Sequence, residues 1–329
     1  MDWRSSTDGQ FRDRCAPPVT AAQLGNARQL VGRPIEWPTL AVAAIIYGGW
    51  ALTTYFHARI PPLLLFAAGG WLVAWHNSLQ HEVIHGHPTP WHRLNRLLAA
   101  PPLSLWLPFE AYRRSHLAHH ATEHLTDPRH DPESRYAEDG AGRALAFDRV
   151  ARRLQSTMIG RLTLGPVFEA TRFLVLESRR LLQGDNGGLR LWTVHLILVG
   201  LIWFWLHTVC RMSLADYLLF FIYPGAALSL IRSFAEHRAD AHPAHRVAVV
   251  EDAPLLGLLF LNNNLHAAHH DRPGVAWYRL PAFYRRNRER LLRANGGLVY
   301  AGYADVFRRY LFQPHDRPHS LKADRTSAS

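Results

Sequence analysis

Four stretches of the chain are apolar almost throughout and carry no Lys, Arg, Asp or Glu at their centres: residues 39–56, 61–79, 191–209 and 214–234. An α-helix rises about 1.5 Å per residue, so about 20 residues cover the roughly 30 Å hydrocarbon core of a bilayer. Each stretch has the length of a spanning helix, and four together outweigh the alternative of buried helices in a soluble protein. They group as two hairpins, because the links at 57–60 and 210–213 are very short. Only Arg59 and Arg211 are charged on that side. Arg28, Arg33, the Arg-rich stretch 93–190 and everything after Arg232 lie on the other side. Cytoplasmic flanks of spans collect Lys and Arg. The pattern predicts an all-α integral membrane fold with four transmembrane helices in two hairpins, both termini cytoplasmic and a cytoplasmic helical cap.

Elsewhere the pattern changes. Residues 97–109 are apolar but broken by Pro101, Pro102 and Pro108, which predicts an interfacial or re-entrant element. Residues 149–180 interleave apolar and Arg positions, as in a helix lying on a membrane surface. Gly184-Asp185-Asn186-Gly187-Gly188 reads as a loop. The leader mixes both charges (Asp2, Arg4, Asp8, Arg12) and lacks the apolar core of a signal peptide. The polar sequence after Pro314 predicts disorder. The chain divides into a cytoplasmic leader, 1–38, a membrane domain, 39–292, and a partly disordered cytoplasmic tail, 293–329.

Composition adds one question. The net charge is +11, and Lys322 is the only lysine, so nearly all of the cationic charge is arginine. A basic chain can bind nucleic acid, but the basic flanks of the spans account for the charge and exclude that partner. Cys15 and Cys210 are far apart, which implies neither a disulfide framework nor a cysteine metal site.

The chemistry lies in the 21 histidines. His81, Glu82, His85 and His87 form HEVIHGH, His116, His119 and His120 form HLAHH, and His266, His269 and His270 form HAAHH. Spacings of three and four residues place the imidazoles on one helix face, a turn apart. Converging neutral imidazoles are what a metal requires. The first group follows the second span, the second lies mid-chain and the third follows the fourth span, so all three can meet on the cytoplasmic side. Two, three and three histidines, leaving out His87, make eight. One metal needs about three or four protein ligands, so the number suits two. Imidazole accepts Fe, Zn, Cu and Ni alike and does not name the metal. Glu82, Glu236 and residues Asn262, Asn263 and Asn264 are placed to orient the rings, since metal-bound histidines need an outer acceptor.

These residues resemble the membrane fatty acid desaturase superfamily, whose signature is HxxxH, HxxHH and HxxHH separated by membrane hairpins. RRSHLAHHATEHLTDP at 113–128 is similar to its second box, and HAAHHDRPGVAWYRLP at 266–281 to its third. The resemblance covers about 39–292. It implies a further ligand just after the last span, which falls on His237 in RSFAEHR. Ser233, four residues earlier, stands beside the ligands where some members carry asparagine. His87, His124 and His130 are then outer-shell or surface residues. The resemblance also implies two Fe ions, O2 as co-substrate, and oxidation of an unactivated C–H bond in a lipid or acyl substrate, giving an alkene or an alcohol. Electrons would come from a ferredoxin-like or cytochrome b5-like donor, and the setting would be a bacterial inner membrane.

Two rivals stand beside this reading. HEVIH also fits HExxH, in which His81 and His85 bind zinc and Glu82 acts as base in a metalloprotease, but that leaves the HxxHH boxes unemployed. A non-catalytic membrane protein that carries metal explains the histidines but not their sequence context.

Overall fold

The computed structural model describes residues 34–136 and 150–316. The leader up to residue 33 lies outside them; of the disorder predicted after Pro314, His315 and Asp316 are instead ordered, with His315 buried and hydrogen-bonded to Tyr300, and residues 317–329 lie outside the described chain. The described chain is mostly helical, and long helices fall on all four apolar stretches. Helix α1 is Trp37–Tyr55 and α2 is Pro62–Ile84, each with proline in its first turn, where the missing N–H is lost at no cost. Helix α3 is His92–Ala99 and α4 is Phe109–Ala121. Met158–Thr163 forms α5 and Gly165–Leu182 forms α6. The surface helix expected over 149–180 is thus interrupted twice, by a turn over 155–157 and at Leu164, after which Pro166 cannot continue the hydrogen-bond ladder.

Helix α7, Asn186–Val209, and helix α8, Leu214–Glu236, contain 24 and 23 residues and are, among the described residues, the two that are long and apolar enough to cross a membrane. Asp185 caps α7 by accepting from the Gly188 N–H at 2.9 Å. Asp185 and Asn186 therefore begin a helix where the sequence suggests only a loop. Ser213 caps α8 in the same way, accepting from the Asp216 N–H at 3.0 Å. Both satisfy donors that a helix start leaves open.

Helix α2 packs on α1 and α8. Gly69 and Gly70 make the approach to α8 possible: a Cβ on Gly69 would stand 2.4 Å from the Phe220 carbonyl oxygen, and one on Gly70 2.6 Å from Pro224 Cβ. Small residues of this kind let helix backbones meet closely. The Pro-broken stretch 97–109 runs from the end of α3 through a loop at 100–108 to the start of α4, and side chains of the long helices take up its carbonyls. Gln80 donates to Ala99 O at 2.9 Å, Tyr217 to Leu103 O at 2.7 Å and Tyr47 to Leu98 O, while His195 Nε2 lies 2.8 Å from Leu105 O.

After α8 come β1 (Val249–Asp252), α9 (Pro254–Leu259), α10 (His266–Asp271), α11 (Leu280–Ala294), β2 (Val299–Gly302) and α12 (Tyr303–Tyr310). Strands β1 and β2 pair in parallel, Val249 with Val299 and Val250 with Tyr300, so the all-α expectation omits one small sheet. The helices between the two strands supply the crossover that a parallel pair needs. Tyr300, Tyr303 and Val306 are buried in the main core with Leu259 and Phe260. Residues 295–316 therefore continue the packed fold beyond the boundary drawn at 292.

Candidate metal centre

Four pieces of backbone deliver the imidazoles: the end of α2, α4, the residue after α8, and α10. His81, His85, His116, His120 and His269 form one group, and His119, His237, His266 and His270 a second. Within each group one ligand atom per residue lies within 4.8 Å of all the others. The three boxes thus meet, but each HxxHH box is divided. Its first and fifth residues sit about 40° apart around a helix and stay together, whereas the fourth lies about 60° to the other side. His116 and His120 join the first group and His119 crosses to the second; His266 and His270 join the second and His269 crosses to the first. The stacked His120 and His270 rings, 4.3 Å apart, mark the seam.

Hydrogen bonds at the far ring nitrogens fix what the near ones offer. His237 Nδ1 lies 3.1 Å from the Arg246 carbonyl oxygen and His266 Nδ1 3.0 Å from Asn263 Oδ1. Both partners are acceptors, so both Nδ1 atoms carry the proton and both Nε2 atoms present lone pairs. Those two Nε2 atoms are 2.9 Å apart. Facing lone pairs repel unless a cation lies between them. In the first group, His116 Nε2 is 3.0 Å from His85 Nε2 and 3.1 Å from His120 Nε2, while its Nδ1 faces Glu133 at 3.2 Å. The donor set fits metal ions.

Electrostatics agree. Burial first, then the crowding of neighbouring imidazoles, holds His116, His120, His266, His269 and His270 below the ordinary histidine range, in the neutral form that ligates. His119 goes the other way. Burial opposes its proton, but the Asp131 hydrogen bond and the charges of Glu133, Asp131 and Glu236 outweigh burial and push it up to about 9.

Of the residues expected around the ligands, Glu236 is in place: its Oε1 is 3.4 Å from His266 Nδ1, 3.3 Å from Asn263 Nδ2 and 3.0 Å from Arg232 Nε. Asn262 turns away and donates to the Trp277 carbonyl at 3.0 Å. Leu261 and Asn262 both have positive φ, 48° and 58°, and this reversal brings in Asn263 instead. Asn263 lies between His266 and His81, 3.3 Å from His81 Nε2. Glu82 accepts from the Trp277 backbone N–H at 3.1 Å, and His87 Nδ1 meets Glu36 at 2.6 Å. Ser233 accepts from Arg161 at 3.3 Å. None of the three bonds just described reaches a grouped histidine. The His124 and His130 rings, 4.8 Å apart and tilted 42° to one another, stand with Asp127, which meets His130 Nδ1 at 3.2 Å.

The sequence reading missed two carboxylates. Asp131 holds His119 Nδ1 at 2.8 Å, and Glu133 faces His116. Their one signal is their place in a short acidic turn after the second box. The protease alternative finds no support here, because Glu82 is engaged with backbone and His81 and His85 share their group with three further imidazoles.

The profile of the fatty acid desaturase family matches residues 56–302, which include all nine grouped histidines. A comparison with curated proteins gave no match. A match over so much of the chain, centred on two groups of convergent imidazoles, places this protein in the fatty acid desaturase family.

Proposed function

We propose that the protein is an integral-membrane, O2-dependent oxidoreductase that introduces a double bond, or a hydroxyl group, into an acyl chain or similar lipid. Two iron ions would be held by His81, His85, His116, His120 and His269 on one side and by His119, His237, His266 and His270 on the other. The observation that carries the reading is the pair of lone pairs on His237 and His266, 2.9 Å apart, inside a site the family profile covers. When bound, the ions would activate O2, which is the oxidant that removes hydrogen from an unactivated C–H bond, with electrons from the donor completing its reduction.

The chain's own residues prepare the site. Eight of the nine grouped imidazoles are held neutral and supply ligand atoms without protons to expel, and His119 alone among them must give up a proton to ligate. Asp131, Glu133, Asn263 and the Arg246 carbonyl fix the tautomers and ring orientations, as outer partners of metal-bound histidines do. His81, His116, His119, His266 and His269 are buried, which keeps water from the reacting region.

The membrane setting is four helices, α1 with α2 and α7 with α8, in two hairpins whose tight turns face away from the site. Outward-facing Ile45, Leu52, Leu63, Leu64, Leu196, Ile197, Leu201 and Phe204 are all more than half exposed, an apolar surface larger than water tolerates. Both termini and the histidines lie on the Arg-rich, cytoplasmic side of a bacterial inner membrane, where a ferredoxin-like or cytochrome b5-like donor can deliver electrons. The test is expression in a lipid-defined host followed by mass spectrometry and metal analysis. Products two hydrogens lighter or one oxygen heavier, with about two irons per chain, support the reading. Unchanged lipids under a reductant and O2, or a single zinc, refute it.

A further inference from the structure

His237 differs from its companions. His119, His266 and His270 ride on helices that also carry another ligand, whereas His237 stands in extended conformation (φ −131°, ψ 142°) directly after α8. Its ring therefore points wherever the backbone at the helix end points. A helix leaves its last carbonyls without intrahelical partners, and a glycine in left-handed conformation often closes the end. Here Arg135 takes that role from a distant part of the chain. It donates to Phe234 O at 2.9 Å and to His237 O at 3.1 Å, a cation at the negative end of the helix.

Arg135 is itself held from the other side by the last described residues. Its guanidinium meets Asp316 Oδ2 at 3.0 Å and His315 Nδ1 at 2.6 Å and lies over the rings of Tyr136 and Phe234. His315 thus accepts at Nδ1, leaving its Nε2–H to donate to Tyr300 OH at 2.8 Å. Tyr136 closes the loop, donating to Asp316 and accepting from the Ala239 N–H at 2.7 Å. Only the planar fork of arginine reaches two carbonyls and a carboxylate at once.

We infer that Arg135, locked by His315 and Asp316, is a positioning residue that sets His237 and thereby the affinity of the second histidine group, an inference that rests on the metal-centre reading above. The experiment follows iron release from the full-length holoprotein in detergent to a chelator, alongside iron content. In Asp316→Asn and Arg135→Gln one of two irons should leave 10–100 times faster, the usual cost of losing an outer-shell partner, while the other leaves within about twofold of the wild-type rate. Arg135→Lys keeps the charge but not the fork and should behave like Arg135→Gln. Unchanged release of both irons overturns the inference. So does equal weakening of both, or loss of folding in all three variants, since either marks the cluster as general scaffold. A wild-type chain that binds fewer than two irons would instead refute the functional reading.

Discussion

Replacing Asp131 by asparagine tests how far the site depends on a residue that touches no metal. The Asp131 side chain is 1% exposed. Oδ1 accepts from His119 Nδ1 at 2.8 Å and from the Glu133 N–H at 2.9 Å, and Oδ2 accepts from the Thr126 N–H at 2.9 Å. Asparagine keeps the shape but turns one of these oxygens into an NH2. Placed at the Oδ2 position, it would meet the Thr126 N–H donor to donor and leave that group buried without an acceptor, a cost of about 1–3 kcal/mol. The bond to His119 survives but loses its charge, and charge-assisted hydrogen bonds are roughly twice as strong as neutral ones. Together these give about 2–4 kcal/mol of lost stability. The iron in the His119 group should bind about 10–100-fold more weakly, which is about 1.4–2.7 kcal/mol and of the same size as one lost hydrogen bond. Glu133→Gln is the comparison, because Glu133 is 28% exposed and 3.2 Å from His116, so water can replace part of its role. Thermal unfolding in detergent and chelator competition measure the two effects. Asp131→Asn with wild-type melting and iron affinity, or a milder effect than that of Glu133→Gln, would refute the reasoning.

Three further outcomes are expected. His120→Ala and His270→Ala should each abolish turnover and lower iron content while leaving membrane insertion intact, and full activity in either removes that residue from the ligand set. Gly69→Ala, whose new methyl would press on the Phe220 carbonyl at 2.4 Å, should cost about 1–3 kcal/mol, whereas Gly48→Ala, in the middle of α1 with open space around it, should raise the melting temperature, because alanine favours a helix over glycine by about 1 kcal/mol. Burial first, then the charge of Arg135, holds His315 down at about 4 from the usual 6.5. The unfolded chain then takes up a proton near 6.5 that the folded chain refuses until about 4, so stability should fall by about 3 kcal/mol as pH drops across that window. His315→Gln should flatten this slope in thermal unfolding at a series of pH values, and an unchanged slope would show that His315 is not its source.

The sequence by itself determined what local periodicity can carry. Apolar runs of helical length marked the four long helices, and spacings of three and four residues marked the histidine faces on α4 and α10. His237, in its place after the last apolar run, was legible through the family resemblance. The tertiary structure decided everything that depends on which faces meet. Division of His116, His119 and His120 between two groups follows from where α2, α8 and α10 approach α4, and no spacing within one box encodes that. Choice of Asn263 over Asn262 turns on two positive φ values in the loop before α10. Asp131 and Glu133 gained their roles only when their turn folded back over α4. Arg135 and Asp316, 181 positions apart, became neighbours because β2 and α12 pack into the core instead of trailing as a tail, and a contact so distant in sequence leaves no trace in any local pattern.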